Sequence, residues 1–295
     1  MRPKIHVAGI IPVANLKTDF GLRTPDVLSP VNKGFTAIQK SVFECAMAGC
    51  STIWIVANED LAPLIRKVVG EWVYDPVYYC RPVRFNREKR VEIPIYYVPI
   101  HPKDRDRRDS YGWSIIHGAY SSWSCAYKIS KWITPDKYYV SFPMSAYDIY
   151  SVREHRKIIK HKTNNLFLCY DGDTAKNNIP IAFTFTGEDF LKCRRSVNKQ
   201  TTREFLPPLP GDRYPSKKLP LKERWSARHF NLQKIFEMVS ETNATKIDLD
   251  WYHDLSTFDG YCEYLGSNYL IETPEKGLTA PHEYVKLPYS EGEEE

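Results

Sequence analysis

Short apolar runs rich in β-branched residues alternate with segments of helical period along most of the chain. "KIHVAGIIPVA" (4–14) is an apolar run of the length of a buried strand. In "NKGFTAIQKSVFECAMAG" (32–49), Phe35, Ile38, Val42, Cys45 and Ala46 recur at helical spacing, and Gly49 stands where a helix C-cap glycine belongs. "STIWIVAN" (51–58) repeats the strand pattern and "EDLAPLIRKVVGEW" (59–72) the helical one. Further strands are predicted over 91–100 and 137–144, with helices over 112–132 and 146–161. Residues 164–185 read as two strands around a polar turn, 223–243 as a helix, and 246–265 as a short strand handing over at Asp254 to an amphipathic helix. Strands separated by helices of this length favour right-handed crossovers, so an α/β fold with a mostly parallel central sheet and helices on both faces is expected.

One stretch breaks the alternation. The prolines of "FLPPLPGDRYPSKKLPL" (205–221) oppose both helix and central strand, which predicts an excursion over the surface or a flap. Residues 1–270 are therefore expected to form a single domain, and 271–295 an extension ending in the acidic "SEGEEE". At 42% hydrophobic residues, the 295-residue chain has material for a sizeable core. No window approaches a membrane span, and "MRPKIHVAGIIPVAN" reaches a proline too early for a signal peptide, so a cytoplasmic location is expected. The seven cysteines include no Cys-x-x-Cys pair and mostly lie in apolar segments, as free core thiols would. The net charge of +5 is modest. Its basic clusters, 103–108 and 153–162, read first as solvated faces; a phosphate-binding surface is the functional alternative, and nucleic acid, though possible, is not indicated.

On an open parallel sheet, ligands bind beyond the carboxyl ends of the strands. The residues to weigh are thus those following strands: Ala14 to Arg23 (including Asn15, Leu16 and Lys17), Asn58, Pro143 to Asp148, and Asp248 with Asp250. "IIPVANLKTDFGLRTPDVLSPV", with the helix and "TIWIVAN" strand after it, resembles the opening of the sugar-nucleotide pyrophosphorylase and cytidylyltransferase superfamily, whose fold is GT-A-like. In that family a strand ending in Ile-Pro leads into a phosphate-binding loop, a Leu-x-Pro-Val segment and a helix. "VSFPMSAYDI" (140–149) is similar to the central strand and turn holding base and sugar, and "KIDLDWYHDL" (246–255) to a late Asp-x-Asp-x-x-x-Asp-Leu motif.

The resemblance implies transfer of a nucleotide from a nucleoside triphosphate to a sugar phosphate, with magnesium as cofactor and pyrophosphate released. It assigns Arg23 and Lys17 to the phosphates, and Asn15, Leu16, Asn58, Gly118 and Ser145 to substrate binding. Magnesium prefers carboxylate oxygens, and strand residues two apart share a side, so Asp250 and then Asp248 are the expected metal ligands. Asp254 is expected to open the following helix. The loop departs from the family in having a single glycine, Gly21, and in placing Asp26 where a lysine belongs; Lys17, Arg23 and Lys33 are the cations to replace it.

Two other readings compete. "YDGDT" (170–174) has the Asp-x-Asp form of GT-A glycosyltransferases, although Asp-Gly is also a strong turn dipeptide. A non-catalytic binding or assembly protein that kept the fold would explain Asp26 and the proline-rich stretch. His101 and His117 are each more simply structural. The stretches 70–110 and 205–221 are candidates for a subunit contact in a homo-oligomer.

Overall fold

The computed structural model describes residues 5–14, 18–21, 24–79, 91–100, 110–129, 133–201, 210–211, 231–242 and 244–274. Eight strands form the main sheet: β1 (Val7–Pro12), β4 (Thr52–Asn58), β5 (Trp72–Tyr74), β6 (Glu92–Ile100), β7 (Lys137–Val140), β9 (Leu166–Cys169), β10 (Phe183–Thr186) and β11 (Thr245–Asp248). Their spatial order is β11-β9-β10-β7-β1-β4-β6-β5. β1 lies parallel to β4 and β7, β4 to β6, and β11 to β9, while β10 opposes both its neighbours and β5 opposes β6. All but β5 and β10 therefore run one way, as the alternation of strand and helix requires.

Two small pairs complete the strands among the described residues: β2 (Pro30–Asn32) with β3 (Phe35–Thr36), and β8 (Ser145–Ala146) with β12 (His253–Asp254). The helices are α1 (Ala37–Ala48), α2 (Ala62–Val69), α3 (Pro76–Tyr79), α4 (Tyr111–Ile129), α5 (Ser151–Glu154), α6 (Arg156–Ile159), α7 (Gly187–Thr201), α8 (Leu232–Phe236) and α9 (Phe258–Gly266).

Successive strand residues feed opposite layers. Val7, Ile11, Ile53, Ile55 and Tyr139 join the core beneath α1 and α2; Ala8, Ile10, Val56, Tyr138 and Val140 join a second core with Ile115, Phe190 and Phe236 from α4, α7 and α8. α1 starts where Thr36 and Gln39 close a capping box and stops at Gly49, whose φ of 83° is the left-handed cap expected there. The segment before it, expected to be helical from residue 32, instead forms the β2–β3 hairpin.

α4 begins at the carboxyl edge of the sheet, with Tyr111 against Phe142, and runs to the opposite edge, where Cys125 and Ile129 line a cleft with Ile5 and Thr52. Residues 146–161 give the two short turns α5 and α6 instead of one helix. Most of the proline-rich stretch and residues 223–230 lie outside the described residues; of the helix expected over 223–243, the described part 231–242 gives only the short α8. Four of the described cysteines are buried free thiols, while Cys125 and Cys262 are exposed. No helix among the described residues is long and apolar enough to cross a membrane.

Candidate active site at the carboxyl edge of the sheet

Beyond β1 the chain folds over β4: the N–H groups of Val13 and Ala14 both donate to Val56 O at 2.8 Å. Asn15, Leu16, Lys17 and Arg23 lie outside the described residues. The described part of this loop reaches the last helix. Asp19 N donates to Ser256 O at 3.3 Å, Asp19 Oδ1 accepts from Phe258 N at 2.5 Å, and the Phe20 ring packs against Phe258 and Tyr261. The first loop and the late segment thus meet. Asp26 is held within the loop by the hydroxyl of Thr18, and partial burial raises its pKa above the usual carboxylate value. Lys33 is exposed on the β2–β3 hairpin, which is tied to α9 by the Tyr261 and Tyr264 hydroxyls donating to Pro30 O and Val31 O.

The turn leaving β7, Ser141–Met144, is built from beneath by a fully buried ion pair. Lys40 Nζ lies 3.5 Å from Glu44 Oε2, one helical turn along α1, with both side chains at 0% exposure. Lys40 also donates to Phe142 O at 2.8 Å and Ser145 O at 2.7 Å. Glu44 accepts from the hydroxyls of Tyr139 and Ser141 at 2.7 Å each and Tyr147 at 2.6 Å. Burial lowers the Lys40 pKa, and Glu44 opposes that shift; burial and then Glu44 push Tyr139 and Tyr147 well above the ordinary phenol value. Every charge is answered by a partner, the condition under which such a pair survives in a core. The sequence signal was present only as a Lys and Glu four residues apart.

On the upper side of the turn, β12 pairs with β8, setting Asp254 opposite Ser145 and His253 opposite Ala146, and Leu255 N donates to Met144 O at 3.0 Å. Asp254 therefore does not open the helix as expected. That role falls to Thr257, whose side chain accepts from Gly260 N, while Asp254 Oδ1 accepts from Ser256 N at 2.9 Å. No described hydrogen bond engages its other oxygen. Tyr111 and Tyr252 face it: burial first, and the Asp254 charge second, raise both phenol pKa values, so both hydroxyls stay protonated at neutral pH.

The other sequence-derived residues separate. Asp248 is exposed at the end of the edge strand β11, opposite Cys169, four strand positions from β1. At about 4.8 Å per position, that is about 19 Å from β1. Asp250 is also exposed, on the chain crossing from β11 to β12. Among the described residues no group of three or more His, Cys, Asp or Glu side chains could hold a metal ion.

Asn58 ends β4 at the expected edge, and its Oδ1 is buried without a hydrogen-bond partner. Ser145 is fully buried and its hydroxyl donates to Phe142 O, so it shapes the turn from within. Gly118 lies against the sheet instead of a base or sugar: a Cβ there would stand 2.7 Å from a Val56 methyl and 3.0 Å from one of Ile10. Asp171 and Gly172, with φ of 51° and 81°, form a tight turn closed by Tyr170 and Asp173. The ring of His117 stacks on Trp113, and His101 is outside the described residues.

No protein-family model matches the chain, and no curated protein matches it in sequence. Solved structures do. A protein described as a glucose-1-phosphate thymidylyltransferase from Bacillus anthracis, in complex with a sucrose, superposes with a TM-score of 0.55 at 10% identity, covering 91% of this chain and 98% of its own. The chain has the nucleotidyltransferase fold. A UDP-glucose pyrophosphorylase complexed with UDP-glucose gives 0.53 at 11% identity over 89% of this chain and 98% of its own. A nucleoside-diphosphate-sugar pyrophosphorylase from Vibrio cholerae gives 0.52 at 11% identity over 88% and 100%. A nucleotidyltransferase fold at such identities fixes the architecture and leaves the chemistry to the residues.

Proposed function

We propose that the protein transfers a nucleotide from a nucleoside triphosphate to a sugar phosphate, with pyrophosphate as the second product. The reading is carried by one observation: the loop after β1 and the chain bearing Asp254 meet at the exit of the central strand, through Asp19–Ser256 and the Asp254–Ser145 pairing. Lys17 and Arg23, in that loop, bind the triphosphate oxygens, and Asn58 contributes to the substrate pocket. Asp254, in preference to Asp248, presents the carboxylate to a magnesium ion. The donor chemistry fits, because magnesium takes one or two carboxylates, keeps several waters and completes its shell with phosphate oxygens. When bound, the ion would neutralise charge developing on the α-phosphate. Tyr111 and Tyr252 stay neutral beside Asp254. Beneath the site, the Lys40–Glu44 pair holds the buried Ser141–Met144 turn in place.

The experiment is pyrophosphate release by the purified chain with magnesium, across the four common triphosphates and a panel of sugar 1-phosphates. Release with one pair of substrates supports the reading; none, together with no nucleotide binding by calorimetry, overturns it. A second reading, a fold retained for binding without turnover, is favoured by the Ser141–Met144 turn, which contains no carboxylate, and by Asp26. It predicts nucleotide binding with no release. Loss of metal-dependent sugar-nucleotide hydrolysis in Asp171→Ala or Asp173→Ala would instead indicate a glycosyltransferase.

A further inference from the structure

Two charges at 0% exposure inside α1 are expensive to hold, and in proteins generally a buried ion pair stabilises little compared with apolar residues of the same volume. Lys40 and Glu44 therefore call for a reason other than stability. Their contacts supply one. Of the three acceptors of Lys40 Nζ, two are the carbonyls of Phe142 and Ser145, the two ends of the turn that leaves the central strand. Ser145 is the residue opposite Asp254 in the β8–β12 pair, and the ring of Phe142 packs against Tyr111, 5.6 Å away. Glu44 holds the start of the same turn through Ser141 Oγ, and is itself braced by Tyr139 and Tyr147. One ammonium group thus holds the strand that pairs with the one bearing Asp254, and the backbone of the residue whose ring abuts Tyr111.

We propose that Lys40, anchored by Glu44, is a positioning residue: it sets Asp254 for metal-assisted polyphosphate binding by clamping the Phe142–Ser145 turn. The inference rests on the transferase reading of the site. It touches no substrate atom. Its effect reaches Asp254 through the Ser145 carbonyl and the backbone pairing above it, as residues behind a ligand commonly orient a metal site and, when removed, weaken it about 10- to 100-fold.

The test is the magnesium half-saturation of nucleotide binding, measured by calorimetry with whichever of ATP, CTP, GTP and UTP the wild-type chain binds. The variant is the double substitution Lys40→Met with Glu44→Gln, which removes both charges together and leaves the tyrosine hydroxyls an amide oxygen. As a control, Arg156→Met with Asp75→Asn removes another largely buried ion pair that lies elsewhere on the α1 side. The expected result is a double variant that unfolds cooperatively near the wild-type temperature yet needs about 10-fold more magnesium or beyond, while the control needs the wild-type amount. Wild-type magnesium dependence in a folded Lys40/Glu44 variant overturns the inference alone, as does an equal shift in the control. Absence of magnesium-dependent binding by the wild-type chain for all four triphosphates overturns the transferase reading, and this inference with it. If the double variant does not fold, Lys40→Arg serves in its place: it keeps the charge but alters the reach to Ser145 O, and the same shift or its absence decides.

Discussion

Asp19 Oδ1 accepts a hydrogen bond from Phe258 N, joining the loop after the first strand to the first turn of the last helix across 239 positions of sequence. The contact makes the carboxyl edge of the sheet a closed arrangement, because the backbone of Asp19 also reaches Ser256. Replacing Asp19 with Ala leaves an orphan N–H at the start of α9 and removes a carboxylate from the positive end of a helix. It should cost about 1 kcal/mol in urea unfolding. A cost near zero would mean that the two ends are not held together by this bond.

Gly118 and Ser145 serve packing, and substitution should reveal it. Gly118→Val drives a branched side chain into Val56 and Ile10, destabilising by about 1–3 kcal/mol. Ser145→Ala loses a buried bond to Phe142 O, worth about 1 kcal/mol. Calorimetric nucleotide affinity of both folded variants should stay within about twofold of wild type; a larger loss would restore either residue to the ligand-binding set.

His6 gives the fold an acid sensitivity. Its Nδ1 donates to Ile133 O at 2.7 Å and its Nε2 faces Thr52 Oγ1 at 3.2 Å, the pattern of a neutral ring, and burial lowers its pKa below the ordinary 6.5 despite Ile133 and Asp136. The unfolded chain therefore takes up the proton first as pH falls. Stability from this group is complete above pH 6.5 and declines below it, toward the depressed folded value. Unfolding free energies at pH 7.5 and 5.5 should differ less in His6→Gln than in wild type; an unchanged difference would assign the acid loss to other groups.

Much of the architecture was legible in the sequence, for a physical reason. β4 is buried on both faces and reads as a continuous apolar run, and β6 buries Ile93, Ile95, Val98 and Ile100 between more exposed neighbours, so 51–58 and 91–100 match these strands almost residue for residue. What escaped was short or polar. β5, β8 and β12 have three residues or fewer and carry no period to read. α7 went unread because charged residues dominate it, although Phe190, Cys193 and Val197 form its buried stripe.

The site shows the same division. Asn58 stands at the end of β4, where the strand pattern put it. Lys40 and Glu44 were hidden because charges at helical spacing ordinarily face water, and these two are buried through long-range contacts with β7 and the turn after it. Asp248 and Asp254 lie six positions apart in the same motif, and nothing in that spacing reveals that one ends an edge strand while the other crosses to the central strand.

Magnesium-dependent binding of a nucleoside triphosphate, titrated by calorimetry into wild type, Asp254→Asn and Asp248→Asn, tests the central claim most directly. Asp254→Asn should weaken the magnesium-dependent part of the affinity by at least about tenfold, with Asp248→Asn indistinguishable from wild type. The reverse, full affinity without the Asp254 carboxylate and loss without that of Asp248, would contradict it.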